Sequence, residues 1–148
     1  MESPEARNDK YEWLKLKNQL CFPLYACSKE IIKKYRPFLD EIGLTYTQYI
    51  AMMVLWETNR ISAKDMGDRL FLDSGTLTPV LKSLAVKGLI TRERSKDDER
   101  VLMLELTEEG SALREKACEV PVKVAKCVCL SRDETMELYG LLYKLLNG

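Results

Sequence analysis

The residues able to do covalent chemistry in this chain are its cysteines. There are five, Cys21, Cys27, Cys118, Cys127 and Cys129, and there is no histidine. The missing imidazole excludes Ser-His and Cys-His catalytic pairs and every His-ligated metal site. No C-x-x-C pair occurs, and Cys127 with Cys129 forms a C-x-C that lacks the second cluster a zinc site needs. An odd number of thiols reads as free cysteines in a reducing compartment, most of them small buried hydrophobes. No metal and no cofactor is expected.

The other candidate chemistry is electrostatic. Lys plus Arg and Asp plus Glu are 23 each, so the formal charge is zero. The balance hides a division. Between Ser74 and Lys96 five cations, Lys82, Lys87, Arg92, Arg94 and Lys96, face only Glu93. On charge alone, a solvated surface and an anion-binding surface explain this equally well.

With 148 residues, 46% apolar and 31% charged, the chain reads as one globular domain, not a disordered tail or a fibre. The longest apolar run, Tyr49 to Trp56, is far short of the ~20 residues a membrane span needs. Glu2, Glu5 and Asp9 leave no basic-then-apolar leader pattern at the N-terminus, which predicts a cytoplasmic protein without membrane partners.

Several elements must position these residues. Trp13, Leu16, Leu20, Leu24, Cys27, Ile31, Tyr35 and Phe38 recur at helical spacing, a single apolar stripe. Pro23 should push Phe22 out of helical geometry and force a kink or restart near Cys21, and Pro37 should end the helix. Thr45-x-x-Gln48, Ser62-x-x-Asp65 and Ser131-x-x-Glu134 read as capping boxes. Asp73 caps a helix that stops at Lys87-Gly88, and the last helix runs to about Leu146. Thr107 caps another helix, carrying Leu113, Ala117, Val120 and Val124 and kinked near Pro121. Leu89 to Arg92 and Val101 to Leu106 read as strands joined by a polar turn.

The middle of this order is a helix-turn-helix followed by a β-hairpin. Helices 62–70 and 74–87 are joined by Phe71-Leu72-Asp73, short enough to cross steeply. Ser74, Gly75, Thr76 and Thr78 are small residues that let a helix start approach a duplex, while Leu77, Val80, Leu81 and Leu84 hold the helix from behind. The hairpin projects Arg94, Lys96 and Arg100, long cations of the kind that enter a minor groove.

Four segments resemble the MarR family of winged-helix transcription regulators, within it the organic hydroperoxide sensors of the OhrR type. They are Asn18-Gln19-Leu20-Cys21-Phe22-Pro23-Leu24-Tyr25-Ala26, Leu44-Thr45-Tyr46-Thr47-Gln48-Tyr49, Phe71-Leu72-Asp73-Ser74-Gly75-Thr76-Leu77-Thr78-Pro79, and Asp97-Asp98-Glu99-Arg100 with Leu106-Thr107-Glu108-Glu109-Gly110. Pro23 departs from many relatives, which carry an aliphatic residue there.

The resemblance implies a mainly α fold with a small β-hairpin wing, a winged helix-turn-helix dimerised through its N- and C-terminal helices. It implies one domain over 1–148, with dimerisation helices at 11–38 and 108–148 and a DNA-binding core at 45–106. The partner is double-stranded operator DNA, met by Ser74, Gly75, Thr76, Thr78 and Lys82 on the helix and by Arg92, Arg94, Lys96, Asp98 and Arg100 on the wing. Asp98 is expected to brace Arg100.

The same resemblance makes Cys21 the redox sensor, since a thiolate attacks a peroxide and needs hydrogen-bond donors to hold its charge. Tyr35 and Tyr46 match the family's donors, and Tyr25 sits one turn after Cys21. Packing is the competing reading for each tyrosine. Cys127 falls near the family's resolving cysteine, with Cys129 and Cys118 as weaker substitutes. The alternative is capping of the sulfenate by a small thiol. Cys127 and Cys129, if helical, would point about 200° apart.

The sequence thus predicts a non-enzymatic, cytoplasmic redox repressor, a homodimer that binds DNA when reduced and releases it when an organic hydroperoxide oxidises Cys21. A MarR-type repressor released by a small phenolic or apolar ligand is the nearest alternative. A thiol peroxidase and a protein-interaction module are more distant ones.

Overall fold

The computed structural model describes residues 10–148, so the reading of Glu2, Glu5 and Asp9 lies outside the described residues. After a 3-10 turn at Leu16–Asn18 come α1 (Cys21–Asp40), α2 (Tyr46–Thr58), β1 (Arg60–Ser62), α3 (Ala63–Leu70) and α4 (Ser74–Val86). They are followed by β2 (Ile90–Arg94), β3 (Leu102–Leu106), α5 (Glu108–Ala117), α6 (Glu119–Ala125) and α7 (Arg132–Asn147). The architecture is the expected one, mostly helical with a small antiparallel sheet as wing. Among the described residues no helix is long and apolar enough to cross a membrane.

Caps decide where the helices begin. Thr45 and Ser131 each form a reciprocal capping box, with Gln48 and Glu134. Ser62 accepts from the Asp65 amide alone, so its box is only half made. Proline decides two of the breaks. The long stripe from Trp13 does not form one helix; α1 starts at Cys21, as a restart at Pro23 predicts. Phe22 nevertheless stays helical, because Pro23 falls in the first turn, where an amide has no intrahelical partner anyway. Pro121 acts alike. It cannot bond the carbonyl of Ala117, so the break falls at Cys118, one turn earlier than expected, and Pro121 lies in the first turn of α6. Pro37 does not end α1, which continues to Asp40 because Leu39 is drawn into the core at 2% exposure.

The sheet has the order β1-β3-β2 and is antiparallel throughout. Strand β1 was not expected. At three residues it is too short to show an alternating pattern, and its last residue, Ser62, also caps α3. It pairs Arg60, Ile61 and Ser62 with Glu105, Leu104 and Met103.

The core gathers around α2, where Ala51, Met52 and Leu55 are fully buried beside Met66, Leu81, Leu84 and Leu104. Trp56 donates its indole N–H to the carbonyl of Gly110 at 2.8 Å and so ties α2 to α5. In contrast, α7 has no buried residue, and Met136, Leu138, Tyr139, Leu141, Tyr143, Leu145 and Leu146 are all exposed along it.

Candidate nucleic-acid interface and thiol site

The turn between α3 and α4 is closed by a left-handed Phe71 (φ 55°) and by the Leu72 amide bonding the carbonyl of Gly67 at 3.0 Å. A Cβ at position 67 would meet the Leu72 carbonyl at 2.8 Å, so glycine is what lets this turn tighten. Asp73 then caps α4, accepting from the Thr76 amide at 2.7 Å, and hydrogen bonds from Thr76 hold its carboxyl below the usual range. Leu77, Leu81 and Leu84 anchor α4 in the core. Ser74, Gly75, Thr76, Thr78 and Lys82 are left on the exposed side. The Thr78 hydroxyl donates back to the Ser74 carbonyl at 2.7 Å, which leaves its oxygen free to accept and turns it away from phosphate donation.

At the wing, Asp98 receives the backbone amide of Arg100 at 3.0 Å, its Nε at 3.1 Å and a terminal guanidinium nitrogen at 3.2 Å. Those bonds hold the Asp98 carboxyl below its ordinary value. The Arg100 side chain is 91% exposed. Arg94 donates to the Arg100 carbonyl at 3.4 Å, and Lys96 is exposed at the tip. A groove of about 990 Å³ runs from the start of α4 to the wing base, between Ser74, Thr78 and Lys64 on one side and Arg94 and Arg100 on the other.

Arg92 departs from its expected place on the DNA surface. It pairs with Leu104, shares the inward face with Ile90, and is half-buried with its Nε unpartnered. Arg94 shares that face by the strand's two-residue alternation, but it lies at the end of β2 opposite Leu102 and stays exposed.

The cysteines overturn the expectation of burial. All are free, Cys127 is half-buried and the other four are exposed. Cys21 is the first residue of α1 and Tyr35 lies in its last turns, fourteen residues on in the same unbroken helix. At 1.5 Å per residue that is roughly 21 Å. Tyr46 goes with Tyr35, ring centroids 5.0 Å apart and edge to face. The structure therefore keeps both tyrosines away from the Cys21 of their own protomer. Tyr25, 61% exposed and one turn from Cys21, carries the Lys29 ammonium over its ring at 5.1 Å.

Tyr49 is a residue the sequence reading missed. It lies one turn after Tyr46 and stacks within 5.9 Å of Tyr35 and 6.3 Å of Tyr46, at 3% exposure. Its spacing from Tyr46 was the available signal. Burial pushes its hydroxyl up to about 12, with Tyr35, Tyr46 and Cys118 adding to the shift. Burial also raises Tyr35 and Tyr46, and Tyr46 adds to the shift at Tyr35.

Cys127 lies beside the same end of α1, its carbonyl accepting from the Lys34 ammonium at 2.8 Å. It follows α6 in a turn and shares no helix with Cys129, so the helical argument that separated the two does not apply. Cys118 marks the joint between α5 and α6.

A helix-turn-helix backed by a three-stranded wing with a cationic tip defines a winged-helix DNA-binding protein. The family model described as transcriptional regulator SarA/Rot matches residues 33–117. The organic hydroperoxide resistance transcriptional regulator of Bacillus subtilis is 47% identical over 139 residues, 94% of this chain and 95% of the relative. The HTH-type regulator SarZ of Staphylococcus aureus is 46% identical, over 89% of each chain. The structure of reduced AbfR bound to DNA superposes with a TM-score of 0.77 at 37% identity, covering 93% of this chain and 96% of that one. AbfR, from Staphylococcus epidermidis, also has a disulfide-formed structure. The chain belongs to the MarR family of winged-helix transcription regulators, in its OhrR-type branch. It is a DNA-binding regulator and not an enzyme.

Proposed function

We propose that this regulator is a cytoplasmic redox-sensing repressor, a homodimer that binds operator DNA while Cys21 is reduced and releases it after oxidation by an organic hydroperoxide. The observation that carries the reading is the separation along α1. Cys21 stands at one end, and Tyr35, Tyr46 and Cys127 gather at the other. Two α1 helices packed antiparallel would set each thiol beside the partner's tyrosines. The apolar residues for such packing are uncovered in one protomer, with Leu20 68%, Tyr25 61% and Ile31 41% exposed. The stretches 11–38 and 108–148 would join the protomers, and 45–106 would meet DNA.

In the sensing step the Cys21 thiolate attacks the terminal peroxide oxygen. The O–O bond breaks, sulfur is oxidised to a sulfenate, and the departing alkoxide takes up a proton and leaves as the alcohol. A thiolate from Cys127 of the other protomer, or from a small thiol, then attacks the sulfenic sulfur. An S–S bond forms and the oxygen leaves as water. Cys118, close enough to Tyr49 to raise its hydroxyl, and Cys129, beyond the end of α6, are kept as the weaker candidates for resolver.

On the DNA side, Ser74, Gly75, Thr76, Thr78 and Lys82 would enter the major groove while Arg94, Lys96 and Arg100 reach the flanking minor groove, Asp98 steadying Arg100.

The test adds one equivalent of organic hydroperoxide to the reduced protein and follows intact mass, mobility on a non-reducing gel and operator binding together. Loss of binding with a covalent dimer through Cys127 selects the two-cysteine scheme. A mixed disulfide with added thiol selects the other scheme. Unmodified Cys21 beside undiminished binding sinks the reading.

A second reading makes a small phenolic or other apolar ligand the trigger. A groove of about 440 Å³ lined by Ile32, Leu39 and Tyr46 with Lys33 and Arg36 favours it. Release by peroxide that persists in Cys21→Ser would make the redox trigger wrong, and release by such a ligand from the reduced protein and Cys21→Ser alike would select this reading.

A further inference from the structure

Gln48 is the one buried polar side chain among the described residues, 7% exposed. Its amide oxygen accepts from the Thr45 backbone at 3.1 Å and from the Lys87 ammonium at 2.9 Å. Its amide nitrogen donates to the Ser83 hydroxyl at 2.9 Å. Lys87 also donates to the Gly43 carbonyl at 2.5 Å. One side chain thus joins the loop after α1, the first turn of α2 and the last turn of α4.

That first turn of α2 begins with Tyr46, two residues before Gln48 and edge to face with Tyr35. The other buried side chains of α2 and α4, Leu55, Leu81 and Leu84 among them, are apolar members of one core. Apolar packing is non-directional and tolerates small rotations, whereas a buried amide bonded through both its oxygen and its nitrogen fixes one geometry. Ser83 and Lys87 lie at the far end of α4 from Ser74. Nine residues separate Ser83 from Ser74, roughly 14 Å of helix, so a tilt imposed at Ser83 moves the DNA-facing end.

We propose that Gln48 is the positioning residue that couples the tyrosine cluster to the DNA-reading helix, through its bonds to Ser83 and Lys87. Loss or gain of a contact at Tyr46 turns the first turn of α2, and the amide carries that turn into α4. The redox arm of this inference rests on the function proposed above.

Gln48→Leu strips the capping box and the Lys87 partner together and endangers the fold, so Ser83→Ala is the decisive variant. It removes one bond from a half-buried serine near the end of α4. The probe is a duplex selected from a random pool by the reduced wild-type protein. Coupling between sites is commonly worth roughly 5–150-fold in affinity. Wild type should lose affinity within that range on oxidation. Ser83→Ala should bind nearly as well when reduced, oxidise Cys21 at the same rate, and then lose less than about threefold.

Linkage supplies a readout that needs no oxidant, since DNA must act back on the tyrosines. In the reduced wild-type protein, duplex binding should shift the Tyr46 ring resonances, and in Ser83→Ala it should not. If Ser83→Ala releases DNA on oxidation as wild type does, or if its Tyr46 signals still respond to duplex, the relay is overturned. If wild type ignores peroxide while the Tyr46 response still depends on Ser83, the relay stands and the peroxide reading falls.

Discussion

Asp98 holds Arg100 by its backbone amide and by two guanidinium nitrogens at once, at 3.0, 3.1 and 3.2 Å. In an exposed pair this contributes little to stability. Its effect is to keep a long cation in one direction at the wing tip. Arg100→Ala should weaken operator binding and reduce its salt slope by about 1, as expected for one lost phosphate-region contact. Asp98→Ala should weaken binding less and leave thermal stability unchanged. Titrations at several salt concentrations check both, and equal binding by Arg100→Ala removes the wing from the interface.

Cys21→Ser should bind the operator as the reduced protein does and stay bound after peroxide. Cys127→Ser should still be oxidised at Cys21 but give no covalent dimer. Because Cys127 and Cys21 lie at opposite ends of α1, any disulfide between them should run between protomers. A Cys21–Cys127 bond found within a single chain by mass mapping would contradict the geometry.

Trp56 is 9% exposed, and its N–H satisfies the Gly110 carbonyl at 2.8 Å. Trp56→Phe leaves that carbonyl unpaired and should cost about 1–3 kcal/mol. The denaturation midpoint should fall with its slope unchanged. Operator affinity of the folded fraction should not move, since the bond lies behind the DNA-facing surface.

Tyr49 has its hydroxyl pushed up to about 12 from the ordinary 10.0 by burial first, and Tyr35 and Tyr46 are raised in the same direction. The native state thus holds these protons more tightly than the unfolded chain does. Their contribution to stability is complete below pH 10.0, and it falls as pH rises from there toward about 12. Denaturation midpoints across that range, followed together with phenolate absorbance, check the sign. Ionisation of all seven tyrosines near pH 10.0 with no loss of stability would contradict it.

Much of the fold was legible because its signals are local. The hydroxyl of Thr45 and the carboxylate of Asp73 reach amides three residues away, and Gly88 adopts its positive φ of 75° within a single turn. Even the restart of α1 follows from the ring of Pro23 and the carbonyl of Gln19. The half-burial of Arg92 was not legible because it comes from its partner Leu104, buried at 0%, while Arg94 on the same strand face stays exposed. Strand β1 was missed because it is a strand only by virtue of its partner, β3.

The sequence by itself determined the helix-turn-helix, the cationic wing and the supply of thiols without histidine, since each depends on residue type or on spacing within a few turns. Only the tertiary structure decided that Tyr46 and Cys127 gather at the Tyr35 end of α1, away from Cys21, that Tyr49 completes the aromatic cluster, and that Gln48 ties α2 to α4. The physical reason is range. Capping and helical periodicity act over one or two turns, whereas these relations join residues through helix length and close packing, which appear only when the chain has folded.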